Sequence, residues 1–118
     1  MPIHQPFSGA KRIPFVQSCR LVDGAAEIEG TIRNISVLGV YLHVDPVPKV
    51  GERLGLRFEL PEGAGSLAVD AEVAWRNSVQ RHKVSSLPPG CGLRFLNLSD
   101  SDEDRIEALV RHPAPSAD

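Results

Sequence analysis

Apolar and polar residues alternate with period two along most of the chain, and that alternation predicts strands. The first run starts at Phe15. Phe15, Gln17, Cys19 and Leu21 share one face, and Val16, Ser18, Arg20 and Val22 share the other. The first set is the more apolar and is expected inside. Asp23-Gly24 then supplies a turn. Glu27 to Ile35 reads as a second strand, with Ile28 and Ile32 opposite Glu29, Thr31 and Arg33. A short stretch of turn-forming types follows, Asn34-Ile35-Ser36-Val37-Leu38-Gly39. The alternation resumes from Gly39 to Val44, with Val40, Leu42 and Val44 on one face, and Asp45-Pro46 ends it. Arg53 to Leu60 is the cleanest strand: Leu54, Leu56, Phe58 and Leu60 alternate with Arg53, Gly55, Arg57 and Glu59. After the turn Pro61–Gly65, Leu67, Val69, Ala71, Val73 and Trp75 form the apolar side of a long strand, expected to pair with the previous one as a hairpin. Gly90 to Leu96 closes the series, with Leu93 and Phe95 inward.

The ends of the chain break this period. Pro2, Pro6 and Pro14 with Ser8-Gly9 oppose regular structure, so residues 1–14 are expected to form a flexible arm. After Leu96 the period becomes helical. Ser99 to Asp104 offers N-caps and places negative charge at a helix start, where the dipole favours it. Ile106, Leu109 and Val110 recur at helical spacing, Arg111 and His112 suit the C-terminal turn, and Pro113 stops the helix. Residues 113–118 are expected to be a disordered tail. Six short strands and one helix over residues 15–112 predict a mainly β fold, a small six-stranded antiparallel β-barrel closed by a C-terminal helix.

Composition narrows the function. A length of 118 residues suits one domain. Thirteen basic against fifteen acidic side chains give a net charge of -2, which argues against a general electrostatic hold on nucleic acid or an anionic membrane. The start of the chain has no basic segment followed by an apolar one, and no apolar run is long enough to span a bilayer, so a cytoplasmic protein is expected. Cys19 and Cys91 lie far apart without a CxxC pattern and read as buried free thiols. His4, His43, His82 and His112 lack metal-ligand spacing, and neither a phosphate-binding Gly-rich loop nor a nucleophile elbow is present. No enzyme, resident cofactor or metal is expected. A single-strand-binding barrel needs a basic groove with stacking aromatics. Phe58, Trp75 and Phe95 read as inward-facing and Tyr41 as almost alone outside, so nucleic acid binding ranks last among the readings.

Three pieces could carry binding. Lys11-Arg12 is a cation pair on the arm, able to fold over a phosphate. Asn34-x-Ser36-x-x-Gly39 presents an amide, a hydroxyl and a glycine at a turn, which equally suits a turn that caps itself. Arg81, His82 and Lys83, with Arg76, form a local basic patch in the connection 77–89, read as a solvated loop or as a contact to a partner or phosphate.

The order Arg12-Ile13-Pro14-Phe15, Asn34-x-Ser36-x-x-Gly39-Val40, Gly51 before a strand, Glu72-Val73-x-Trp75, Gly90-x-Gly92-x-x-Phe95 and a closing helix resembles the PilZ domain over residues 8–111. The resemblance implies a bacterial six-stranded barrel with a C-terminal helix, which works without catalysis as a cyclic di-GMP receptor or adaptor for motility, pili or exopolysaccharide. It implies a ligand site built from Arg12, assisted by Lys11, and from Asn34, Ser36 and Gly39. The family's Arg-x-x-x-Arg arm is incomplete here: with its second arginine on Arg12, the first falls on Ser8. A hydrogen bond to a charged group contributes about 1.5–3 kcal/mol. Losing one weakens affinity roughly 10- to 150-fold. Two expectations follow from the resemblance: a signalling module that regulates a protein partner and binds cyclic di-GMP weakly, or a constitutive adaptor that has lost the nucleotide.

Overall fold

The computed structural model describes residues 11–77 and 89–111. Six strands follow one another: β1 (Ile13–Asp23), β2 (Ala26–Ile35), β3 (Gly39–Val44), β4 (Arg53–Glu59), β5 (Ser66–Asn77) and β6 (Gly90–Leu96). A single helix, α1 (Asp100–Arg111), ends the described chain. All neighbouring strands are antiparallel, and they close into a barrel in the order β1-β2-β3-β6-β5-β4. Hairpin turns make the β1–β2, β2–β3 and β4–β5 pairs. The barrel closes through two ladders between distant segments, β3 with β6 and β1 with β4.

The period-two pattern explains what fills the barrel. Leu21, Ile32, Val40, Leu42, Leu54, Leu56, Phe58, Leu67, Val69, Val73 and Leu93 are buried together, each on the predicted apolar face of its strand. Cys19 and Cys91 are free thiols within the same core. Burial pushes their ionisation up, to about 11 for Cys19 and about 12 for Cys91. Helix α1 covers the barrel with Ile106, Leu109 and Val110. Its first turn is capped by Ser99, whose Oγ accepts from the Asp102 N–H at 3.0 Å.

Four features depart from the sequence reading. β1 begins at Ile13, inside the segment read as arm, because Ile13 pairs with Ile35 and Pro14 with Asn34. β5 runs on to Asn77, which is buried rather than part of a loop. Trp75 does not face the core. The register shifts between Val73, opposite Leu93, and Trp75, opposite Gly92. The extra residue of that bulge turns the indole to the outer face. Tyr41, expected outside and exposed, does sit on the outer face but is wholly buried. Trp75 lies over it at a ring-centroid distance of 5.2 Å, with planes 24° apart. The two rings meet above Gly92, which pairs with both residues, and a Cβ at Gly92 would overlap the indole. Asn77 Nδ2 donates to the Tyr41 hydroxyl at 3.2 Å. Burial raises the Tyr41 phenol above its usual value, and the Asn77 contact opposes that rise.

Candidate ligand-binding site

Strand register brings the motif residues together on one outer strip of the barrel. Across the strands, Pro14 stands opposite Asn34, Asn34 opposite Tyr41, Tyr41 opposite Gly92, and Gly92 opposite Trp75. Arg12 precedes β1 at the edge of this row, half-buried, with Lys11 exposed beside it. Burial lowers the Arg12 guanidinium from its ordinary value, as expected of a cation held partly out of water. The two residues after Arg12 pair with Ile35 and Asn34, so the β1–β2 ladder starts immediately beyond Arg12, although 22 positions separate Arg12 from Asn34 in sequence.

The turn between β2 and β3 explains its own residue types. The Ser36 N–H donates to the Gly39 carbonyl at 2.8 Å, and the Leu38 N–H donates to Ser36 Oγ at 3.0 Å. The Leu38 carbonyl in turn accepts from the Phe95 N–H at 2.9 Å, which fastens the turn to β6. Ser36 is 0% exposed. Its hydroxyl is committed to the turn, so Ser36 shapes this site from beneath. Gly39 opens β3 and is not among the positive-φ glycines, which are Gly24, Gly51, Gly63 and Gly65. Asn34 is different. Its Oδ1 is buried and has no hydrogen-bond partner among the described residues. A buried acceptor without a donor is costly. A ligand donor would relieve it.

A second outer row adjoins the first, in which Gly39 stands opposite Arg94, Arg94 opposite Glu72, and Glu72 opposite Arg53. Arg94 forms an ion pair with Glu72. Sequence reasoning assigned Arg94 no role, because alternation alone makes it one more outward-facing charge. Only the β3–β6 register sets it beside the turn. The basic residues Arg81, His82 and Lys83 lie outside the described residues. Arg76 is described; it is exposed and donates to the Val47 carbonyl at 3.3 Å.

A cleft of about 400 Å³ opens elsewhere, where the β1–β4 ladder stops at Cys19 and Phe58. Gln17, Arg20, Glu29, Arg57, Glu59 and Ser66 line it. Its mixed charges suit no anion in particular, and none of the motif residues reaches it. Among the described residues no group of three or more His, Cys, Asp or Glu side chains is placed to hold a metal ion. No helix among them is long and apolar enough to cross a membrane.

The family model for the PilZ domain matches residues 9–112. This chain belongs to the PilZ domain family. Solved structures agree at the level of the fold. YcgR from Escherichia coli in complex with c-di-GMP superposes with a TM-score of 0.70 at 16% identity, over 87% of this chain and 44% of that one. The PilZ domain of the same YcgR with c-di-GMP gives 0.68 at 15% identity, over 91% of this chain and 90% of that one. The Bacillus subtilis inhibitor of motility, MotI/DgrA, gives 0.70 at 20% identity, over 92% and 50%. The chain thus spans about half the length of the longer YcgR and MotI chains. No curated protein matches it. The comparisons support the six-stranded barrel with one helix. The family match spans both Arg12 and the Asn34–Gly39 turn.

Proposed function

We propose that this PilZ domain is a non-catalytic signalling module that regulates a protein partner and binds cyclic di-GMP with reduced affinity. The partner class is a motility, pilus or exopolysaccharide component. One observation carries the ligand reading: Asn34 Oδ1 is buried and unpartnered among the described residues, opposite Pro14, two residues beyond Arg12. A guanine edge offers N–H donors to such an oxygen, and the dinucleotide's phosphates suit Arg12 with Lys11. Ser36 and Gly39 hold the turn in shape below the ligand. The fold is shared with YcgR, which has been solved in complex with c-di-GMP, and this lends further support.

The test is a calorimetric titration with cyclic di-GMP of the natural chain beside Ser8→Arg and Asn34→Ala variants. We expect weak binding by the natural chain, binding roughly 10- to 150-fold tighter after Ser8→Arg, and loss after Asn34→Ala. Absence of binding by both the natural chain and Ser8→Arg overturns the ligand reading.

A second reading is a constitutive adaptor that no longer uses the nucleotide. The engagement of Ser36 Oγ within the turn favours it, since the motif then has a structural reason to persist. So does Ser8 in place of the first arginine. Capture of one partner equally with and without cyclic di-GMP selects this reading; nucleotide-dependent capture rejects it.

A further inference from the structure

We propose that Arg94 is a second cationic contact for the phosphate of the bound dinucleotide, and that Glu72 is the counter-ion that holds it when no ligand is present. This rests on the ligand reading above and adds a residue that the motif does not contain. Arg94 stands directly across the β3–β6 ladder from Gly39, the last residue of the turn. Cross-strand partners have Cα atoms about 4.5–5.5 Å apart. An extended arginine side chain on that strand is therefore long enough to reach the turn.

The charges around Arg94 allow the exchange. Its side chain is 54% exposed and that of Glu72 22%. An ion pair this open to water biases the arginine by at most about fivefold. A phosphate accepts two parallel N–H bonds from a guanidinium and competes well with one such carboxylate. Glu72 is not left alone after the exchange, because Arg53 stands across the next ladder from it. The chain therefore retains a guanidinium on the far side of the turn, although its arm carries only one. Glu72 has the opposite effect, since its charge repels an anion and occupies Arg94.

The test is titration of the full chain with cyclic di-GMP, comparing natural, Arg94→Ala, Arg94→Lys, Glu72→Gln and Arg12→Ala proteins. The same set is run in the Ser8→Arg background, where binding is tighter. Arg94→Ala is expected to weaken binding about 10- to 100-fold, and Arg94→Lys to recover part of that loss. Glu72→Gln is expected to tighten binding about two- to fivefold. Melting temperatures read alongside separate these effects from unfolding. Affinity within twofold of the parent after Arg94→Ala overturns the proposal, as does weaker binding after Glu72→Gln. If Arg12→Ala abolishes binding while Arg94→Ala does not, this inference fails and the ligand reading stands. If neither the natural chain nor Ser8→Arg binds, both fall.

Discussion

Two of the barrel's hairpin connections differ in character, the six residues between β4 and β5 and the three between β2 and β3. The β4–β5 turn is exposed, but its backbone is well bonded. The Leu60 N–H donates to the Gly65 carbonyl at 2.7 Å, and Ala64 N–H to Pro61 at 3.2 Å. Arg105 reaches over from α1 and donates to the carbonyls of Ala64 and Ser66, at 3.0 and 3.1 Å. Glu62 takes a positive φ there, a strained choice for a residue with a side chain, while Gly63 and Gly65 adopt theirs freely. The β2–β3 turn needs no outside arginine and no left-handed residue. It is fastened by its own serine and by β6, yet it leaves the Asn34 oxygen without a partner among the described residues. A turn built only for connection spends its polar groups inside the fold. The Asn34–Gly39 turn leaves one without a partner among the described residues, as the proposed ligand contact requires.

Substitutions separate the two more sharply. The largest expected effect is on the wall that carries the β2–β3 turn. A Cβ at Gly90 would overlap the Leu42 backbone carbonyl across the β3–β6 ladder. Gly90→Ala is expected to destabilise the barrel by about 3 kcal/mol, read by urea denaturation. Alkaline pH acts on the same half, because Cys19 lies on β1 and Cys91 on β6. Both thiols ionise later in the fold than in the unfolded chain, so their contribution to stability is full below about pH 9. It is lost as pH rises towards the folded values of about 11 and about 12. Melting temperature should fall across that window, and fall less after Cys19→Ala with Cys91→Ala.

Next comes Ser36→Ala, which strands the Leu38 N–H and is expected to cost about 1–2 kcal/mol. Arg105→Ala opens the β4–β5 turn and should cost about 1 kcal/mol while leaving cyclic di-GMP affinity unchanged. Asn34→Ala is the smallest in stability, within about 0.5 kcal/mol, because it removes an oxygen that gains nothing from the fold. If Asn34→Ala destabilises as much as Ser36→Ala, the contrast between the two turns is lost.

The strands were legible because an antiparallel barrel wall wets one face and dries the other. Leu54, Leu56 and Phe58 show it without exception. Legibility failed where one residue was inserted. Beyond the bulge after Val73 the alternation changes sides, and Trp75 moved from core to surface. A glycine within a strand, here Gly92, was the available signal that a ring or a backbone comes close. Tyr41 was misjudged because its cover comes from a strand not adjacent to its own. The Asn34-x-Ser36-x-x-Gly39 turn was readable since its bonds are local. Arg94 was not, because its place beside Gly39 exists only once β3 and β6 pair.

That pairing also bears on how the chain reaches its fold. Four ladders join strands that are neighbours in sequence, but Gly39 meets Arg94, and Leu21 meets Leu56, only after long stretches of chain have been brought round. Topologies dominated by such distant contacts fold in milliseconds to seconds rather than microseconds. The β3–β6 ladder fastens the ligand turn through Phe95. The surface proposed to bind ligand is thus a late product of folding: a nascent or partly folded chain carries the motif in its sequence before it has that surface to offer.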